Sequence, residues 1–151
     1  MEIKFMVDFM LGRLCRWLRL LGEDAEYYRD RDKGGIIYRS LKEKRIILTR
    51  DRRLSSKKAI RIYRVKNEEF REQLREVINE FDIEIDDEKI FSRCTDCNLI
   101  LQQIQKEKIK NKVPDYVYKT HDKFSICKNC ERIYWKGTHR ELIDKVIKRI
   151  R

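Results

Sequence analysis

Hydrophobic residues in the first ninety positions alternate between short runs and helical stripes. The apolar run at 3–7 predicts a strand, and apolar positions three and four apart over 11–21, closed by Gly22, predict a helix. The alternation continues with strands predicted over 25–28, 45–48 and 60–65 and helices over 36–42 and 68–81. Because strands that alternate with helices form parallel sheets covered on both faces, we expect an open α/β fold.

Beyond residue 92 the pattern changes to paired cysteines and short aromatic stretches, followed by a predicted basic helix over 138–151. We place a domain boundary near Phe91, with one domain over 1–91 and a smaller one over 92–151. Apolar runs are far shorter than the roughly 20 residues that span a bilayer. The first residues also lack the features of a signal peptide. We therefore expect a cytoplasmic protein without a membrane segment.

Four of the five cysteines form two knuckles, Cys94-x-x-Cys97 and Cys127-x-x-Cys130. Two such pairs can present four thiolates to one tetrahedral metal ion. Disulfides are the alternative, but an intracellular chain favours metal. Four sulfur ligands leave no open position for water, so we predict a structural Zn²⁺. Cys15 falls on the apolar stripe of the first helix and is interpreted as a core residue.

Acidic residues follow the predicted strands: Asp8 after the first, Asp30 and Asp32 after the second, and Asp51 after the third. The carboxyl ends of parallel strands meet at one edge of a sheet, where ligands gather. Clustered carboxylates hold Mg²⁺ or Mn²⁺, which activates water for cleavage of a phosphodiester. Capping of a helix or turn explains Asp8 and Asp51 equally well, and spacing alone does not choose between the two roles.

Charge is unevenly distributed along this basic chain, whose formal net charge is +11. Residues 42–66 hold 11 basic and two acidic residues, whereas 67–88 hold ten acidic and two basic ones. A dense basic stretch is typical of proteins that bind a nucleic-acid backbone, although a solubilising surface is the alternative. The acidic stretch would instead suit an adaptor that contacts a basic protein.

Candidate RNA-binding residues lie beside the acids and in the second domain. Arginines near the acids could grip phosphates or pair with those acids. The aromatic and basic residues of the second domain suit single-stranded RNA, although Tyr134 and Trp135 also fit the core of a small ribbon. The candidates are Arg13, Arg16, Arg50, Arg52, Arg53, Trp135, Lys136, His139 and Arg140.

Several motifs together resemble the Mut-seven C-terminal RNase family. They are VDFMLGRLCRWLRLLG at 7–22, ILTRDR at 47–52, the first knuckle with Asn98, Val113-Pro114, and 127–139 with its YWKGTH ending. The resemblance covers nearly the whole chain. It implies a PIN-like nuclease domain followed by a zinc ribbon, and a metal-dependent RNase. On it, Asp8 and Asp51 match acids of the nuclease site, and the four knuckle cysteines match zinc ligands.

One position departs from the family pattern, because Lys33 stands where that pattern has an acid. Either Asp32 takes that place by a shift of one residue, or Lys33 weakens or abolishes the metal site. Arg53 adds positive charge beside Asp51. Two hypotheses follow: a metal-dependent RNase acting on structured RNA, or a non-catalytic RNA- or ribosome-binding module. Ribosomal RNA is suggested as the target only by analogy with archaeal rRNA-processing nucleases that combine the same two domains.

Overall fold

The computed structural model describes residues 2–54, 59–136, 141 and 143–146. Its first sheet is parallel and has the order β2-β1-β3-β4. The predicted alternation of strands and helices is confirmed, with β4 shorter than expected. The strands are β1 (Lys4–Val7), β2 (Asp24–Tyr27), β3 (Ile46–Thr49) and β4 (Ile62–Arg64), and the helices are α1 (Gly12–Leu20), α2 (Lys33–Glu43) and α3 (Phe70–Glu80).

Helices cover both faces of this sheet. Side chains alternate along a strand, so Phe5 and Val7 pack on the face that carries α1 and α3, while Met6 packs on the face that carries α2. All three are fully buried. Burial on both faces explains why β1 is continuously hydrophobic, as is typical of a parallel sheet.

Gly22 ends the first helix as predicted. Its φ of +94° lies in the left-handed region that favours glycine, and a Cβ there would lie 2.6 Å from the carbonyl oxygen of Lys89. The backbone N–H of Phe91 donates to the carbonyl of Leu20 at 3.0 Å. The segment that leads into the second part therefore packs directly against the end of α1.

The second part is a small antiparallel sheet in the order β5-β6-β7. Its elements are β5 (Gln102–Ile104), α4 (Asp115–Thr120), β6 (Phe124–Ile126) and β7 (Ile133–Tyr134). Of the basic helix predicted over 138–151, the structure describes 141 and 143–146, which are helical, and the rest lies outside the described residues. No helix in the described part of the chain is long and apolar enough to cross a bilayer.

Two buried side chains join the antiparallel part to β2, the edge strand of the parallel sheet. Arg19 donates to the carbonyl of Ala25 at 2.7 Å and to the carbonyls of Thr95 and Asp96 at 3.1 Å. The Asn98 amide accepts from the N–H of Ala25 at 3.1 Å. The first knuckle thus covers part of an edge that would otherwise expose backbone groups. The domain boundary near Phe91 stays a prediction.

Candidate functional site

Asp8 and Asp51 meet at the carboxyl edge of the parallel sheet through the hydroxyl of Thr49. Thr49 Oγ1 donates to Asp8 Oδ2 at 2.7 Å and accepts from the backbone N–H of Asp51 at 2.9 Å. Asp8 is 6% exposed, and its Oδ1 accepts from the N–H of Phe9. The two acids follow the neighbouring strands β1 and β3, so the sheet order brings their backbones together as the sequence predicts.

Two cations stand against the Asp51 carboxylate. Arg53 Nε lies 3.1 Å from Oδ1, and Lys33 Nζ, on the first residue of α2, lies 4.0 Å from Oδ2. Hydrogen bonds from the Arg53 side chain and backbone, assisted by the Lys33 charge, hold the pKa of Asp51 below its ordinary value. Asp51 is therefore a carboxylate whose negative charge is balanced by residues of this chain.

Asp32 serves as the N-cap of α2. Its Oδ2 accepts from the N–H of Gly35 at 2.8 Å, and its Oδ1 accepts from Tyr28 Oη at 2.6 Å. The Tyr28 hydrogen bond is the main cause of a lowered pKa at Asp32. A Cβ at Gly35 would collide with both of these side chains, so a larger residue there would displace them from the cap. Asp30 is exposed in the loop before the cap.

These acids fit Mg²⁺ or Mn²⁺ poorly. Mg²⁺ needs near-octahedral oxygen coordination at about 2.0–2.1 Å. Within the described residues, the four knuckle cysteines are the only group of three or more side chains placed to share a metal ion. Asp8 and Asp51 already bond to Thr49, Arg53 and Lys33. Lys33, which stands where the family pattern has an acid, places its ammonium 4.0 Å from Asp51 Oδ2.

The knuckle cysteines, by contrast, fit a tetrahedral metal. Their four sulfur atoms lie within 4.8 Å of one another, and Cys94 Sγ lies 3.6 Å from Cys130 Sγ. A tetrahedral Zn²⁺ with Zn–S bonds of about 2.3 Å separates its sulfurs by about 3.8 Å. A disulfide would need about 2.0 Å, and all five cysteines are free. Cys94, Cys97, Cys127 and Cys130 could together hold a zinc ion.

The two knuckles repeat one backbone geometry. The N–H of Asn98 donates to the carbonyl of Cys94 at 2.9 Å, and the N–H of Glu131 donates to the carbonyl of Cys127 at 2.8 Å. Each donor follows the second cysteine of its pair and has a left-handed φ, +67° at Asn98 and +63° at Glu131. Such turns aim both sulfurs of a pair to one side, as one shared metal requires.

The chain matches the family model described as Mut7-C RNAse domain over residues 3–147. It belongs to the Mut7-C RNAse domain family. The resemblance stated from the sequence is confirmed, and it covers nearly the whole chain. Membership of this family suggests a nuclease-like role and implies RNA as the substrate. No curated protein and no solved structure matches the chain.

Three exposed arginines of this Mut7-C domain lie over aromatic rings near the acids. The guanidinium carbon of Arg13 lies 4.3 Å from the ring centre of Phe70, that of Arg31 4.8 Å from Phe9, and that of Arg29 5.8 Å from Tyr27. Within the part of the chain that the structure describes, none of the three forms an ion pair. Arg29 and Arg31 were not among the candidates predicted from the sequence, although their position just after β2 was a signal for them.

The arginines predicted around Asp51 divide into different roles. Arg50 donates to two backbone carbonyls of the segment after β4, at 3.1 and 2.7 Å, and so supports that segment. Arg52 is exposed, and Arg53 pairs with Asp51. His139 and Arg140 lie outside the described residues.

The other predicted RNA contacts lie on α1 and on the antiparallel part of this Mut7-C protein. Arg16 pairs with Asp96 at 3.0 Å, and Lys136 is exposed. Trp135 is half-buried beside the small core of the antiparallel sheet. All the RNA-binding roles stay predictions.

Two neighbouring side chains donate hydrogen bonds to the sulfurs of the cysteine cluster. Tyr134 Oη donates to Cys94 Sγ and Asn129 Nδ2 donates to Cys97 Sγ, each at 3.2 Å. Burial would raise the pKa of Cys94, but the hydrogen bonds from Tyr134 and from nearby backbone amides outweigh it and lower that pKa to about 7. Tyr134 is thus a buried support of the cluster. Burial raises the pKa of Cys15 to about 11, consistent with a plain core residue.

Proposed function

We propose that this Mut7-C protein binds structured RNA through a basic face and does so without a divalent ion. We define the basic face as the cations around the carboxyl edge of the parallel sheet: Arg13, Arg29, Arg31, Lys33, Arg52 and Arg53. The observation that carries the proposal is the placement of Lys33 and Arg53 against Asp51. The edge that the resemblance gives to an acidic metal site is here a cationic surface.

The arginines of this face suit phosphate. A guanidinium presents donors in a planar fork that matches two phosphate oxygens. Arg13, Arg29 and Arg31 are exposed, and each guanidinium lies over an aromatic ring, which is a favourable place for a cation. Each contact is non-specific in base sequence, so we expect recognition of RNA shape and charge.

Asp8, Thr49 and Asp51 would then have a positioning role on this face. Their hydrogen bonds tie the end of β1 to the end of β3. Asp51 in turn holds Arg53 and Lys33 in place. The acids would shape the surface that meets RNA while its cations supply the binding energy.

Metal-dependent cleavage of RNA is the second candidate, and family membership favours it. Asp8 and Asp51 would be its acids, with Asp32 or Asp30 as a third. This candidate requires a divalent ion to displace Lys33 and Arg53 from Asp51, and it requires Asp32 to leave its cap if Asp32 rather than Asp30 is the third acid. Ribosomal RNA is our proposed target class, and a cytoplasmic location stays a prediction.

Binding of a labelled ribosomal RNA hairpin to the full chain, in buffer that contains no Mg²⁺, Mn²⁺ or chelator, tests the proposal and is measured by fluorescence anisotropy. The affinity should fall steeply as salt rises, because bound phosphates release counterions. An Arg29→Glu, Arg31→Glu variant should bind at least about tenfold more weakly. Lys110→Glu, Lys112→Glu is the matched control, with the same charge change at exposed positions of the antiparallel part. Negligible affinity at low salt, or an affinity that does not change with salt concentration, would contradict the proposal.

A further inference from the structure

An aromatic groove of about 250 Å³ lies where α1 meets the antiparallel part. Its walls include Trp17 from α1, Phe91 from the connecting segment, and Tyr134 and Trp135 from the end of the antiparallel sheet. Trp17 and Trp135 are both half-buried, so each keeps part of its ring accessible. None of the acids at the sheet edge lines the groove, and Tyr134 separates it from the sulfur of Cys94, to which its hydroxyl donates.

The ring arrangement suits a flat aromatic ligand. The Phe91 and Tyr134 rings pack together at 6.5 Å between centroids, which closes one wall. Trp17 is braced by Phe70 at 5.5 Å and Trp135 by Phe124 at 6.4 Å. Braced rings lose little conformational entropy when a base stacks on them. The volume lies below the roughly 300 Å³ at which pockets for drug-sized ligands begin, and so suits a single base.

Two arginines at the mouth of the groove make it cationic. Arg16 and Arg132 both pair with Asp96, at 3.0 and 2.7 Å. One carboxylate therefore orients two guanidiniums and leaves one positive charge in excess. Both arginine side chains are about half exposed, at 52% and 48%. A phosphate attached to a base in the groove would meet this pair.

The groove also continues the basic face along α1. Arg13 precedes Trp17 by four residues, which is about 6 Å along a helix that rises 1.5 Å per residue. That distance is close to two stacked nucleotides at about 3.4 Å each. A strand that leaves the basic face at Arg13 can reach the groove without crossing an acidic surface of α1, whose residues include no acid.

We propose that the groove takes one nucleobase of a single-stranded RNA segment, stacked on Trp17 or Trp135, with its phosphate on Arg16 and Arg132. This inference rests on the proposed RNA binding and adds a site for an unpaired base. The protein would then bind a duplex most strongly beside an unpaired nucleotide. Proteins that recognise single strands combine stacking rings and cations in the same way.

Tryptophan emission tests this inference directly, because the only two tryptophans of the chain both line the groove. The full chain is titrated with a single-stranded RNA hexamer, and quenching is recorded together with the anisotropy of the same labelled hexamer. Ribose 5-phosphate, which carries a phosphate and no base, is the ligand control. We expect saturable quenching by the hexamer at the concentration where anisotropy rises, and none by ribose 5-phosphate.

Variants assign the quenching to the groove. Arg132→Glu reverses an exposed charge at the mouth and should weaken hexamer binding about tenfold or more. Lys112→Glu is the control with the same final residue at an exposed site that does not line the groove. Trp17→Phe and Trp135→Phe show which ring reports contact, and they keep an aromatic wall where a larger change would disturb folding.

The outcomes separate the groove from the proposed function. Hexamer binding by anisotropy with unchanged tryptophan emission, or quenching that Arg132→Glu leaves intact, would overturn the groove inference and leave RNA binding standing. Failure of both the hexamer and the hairpin to change the anisotropy would overturn the proposed function and the groove inference together.

Discussion

Lys33 Nζ lies 4.0 Å from Oδ2 of Asp51, at the first residue of α2. A cation at a helix N-terminus is opposed by the helix dipole, so this placement needs compensation. The Asp32 cap and the Asp51 carboxylate supply it. The acidic edge formed by Asp8 and Asp51 therefore has the ammonium of Lys33 beside it, at the position where the family pattern has an acid.

Restoring an acid at this position should create affinity for a divalent ion. Lys33→Asp removes the cation beside Asp51 and adds a carboxylate, which favours the helix N-terminus as well. We expect the variant to bind Mn²⁺ at least about tenfold more tightly than the parent chain, because a third hard oxygen ligand becomes available. Isothermal titration calorimetry measures the change. Lys110→Asp is the control, and equal Mn²⁺ affinity in all three proteins would sink the interpretation of Lys33.

Thr49→Val should destabilise the protein. Valine keeps the shape of threonine but leaves the buried Asp8 Oδ2 without its donor, and a lost hydrogen bond to a charged group costs about 1.5–3 kcal/mol. Urea unfolding measures the free energy of unfolding. Thr49→Ser retains the hydroxyl and should lose less stability. A valine variant more stable than the serine variant would show that this hydroxyl does not hold the two strands together.

Asn98 should tolerate aspartate worse than alanine. Its side-chain amide donates to Asp24 at 2.8 Å and to Glu26 at 2.9 Å. Asn98→Ala removes these bonds and costs about 1–3 kcal/mol. Asn98→Asp also adds a third carboxylate beside two others, so its melting temperature should be lower still at neutral pH. The gap between the variants should close in acid, and an aspartate variant that melts above the alanine variant at pH 7 would exclude this explanation.

Asp24 should contribute to acid unfolding. Burial opposes its ionisation, but hydrogen bonds from Arg45 and Asn98 prevail and lower the pKa of Asp24 below its ordinary 3.8. A lowered folded-state pKa means stability that is present above about pH 4 and lost as the pH falls through the folded value. Asp24→Asn should flatten this part of the stability profile. Asp122→Asn, at a side chain 95% exposed, is the control and should leave the profile steep.

Zinc should accompany the protein at one ion per chain and hold the antiparallel part together. Strong chelation or Cys97→Ser should abolish the bound zinc and the near-ultraviolet circular dichroism of the nearby Tyr134 and Trp135. Cys15→Ala is the control. Cys15 is buried in the core and does not belong to the group of four cysteines, so this variant should keep its zinc. Metal analysis that finds no zinc, together with thiol counting that finds disulfides, would contradict the assignment.

Sequence periodicity predicted the strands and helices of this protein well. The residues of β1 are hydrophobic because both faces of the sheet are buried, and α1 is hydrophobic along the one side that packs on the sheet. The cysteine spacing likewise predicted the grouping of the four cysteines, since each knuckle is a local turn. Arg19 was not predicted, although it lies four residues after Cys15 on the buried side of α1. Its partners at Thr95 and Asp96 are some 76 residues away along the chain, and only tertiary packing brings them together. For the same reason, the sequence did not show whether the Lys33 side chain points toward Asp51 or away from it.

The most direct test of the central claim is the fate of a bound RNA hairpin with Mn²⁺, with Mg²⁺ and without added divalent ion, followed on a denaturing gel. We predict salt-dependent binding without added divalent ion and an intact hairpin in all three conditions. An Asp8→Asn, Asp51→Asn double variant is measured beside the parent chain to identify any contaminating nuclease, whose cleavage would be equal in both. Cleavage that requires Mn²⁺ or Mg²⁺ and disappears in the double variant would contradict the account and establish a metal-dependent RNase.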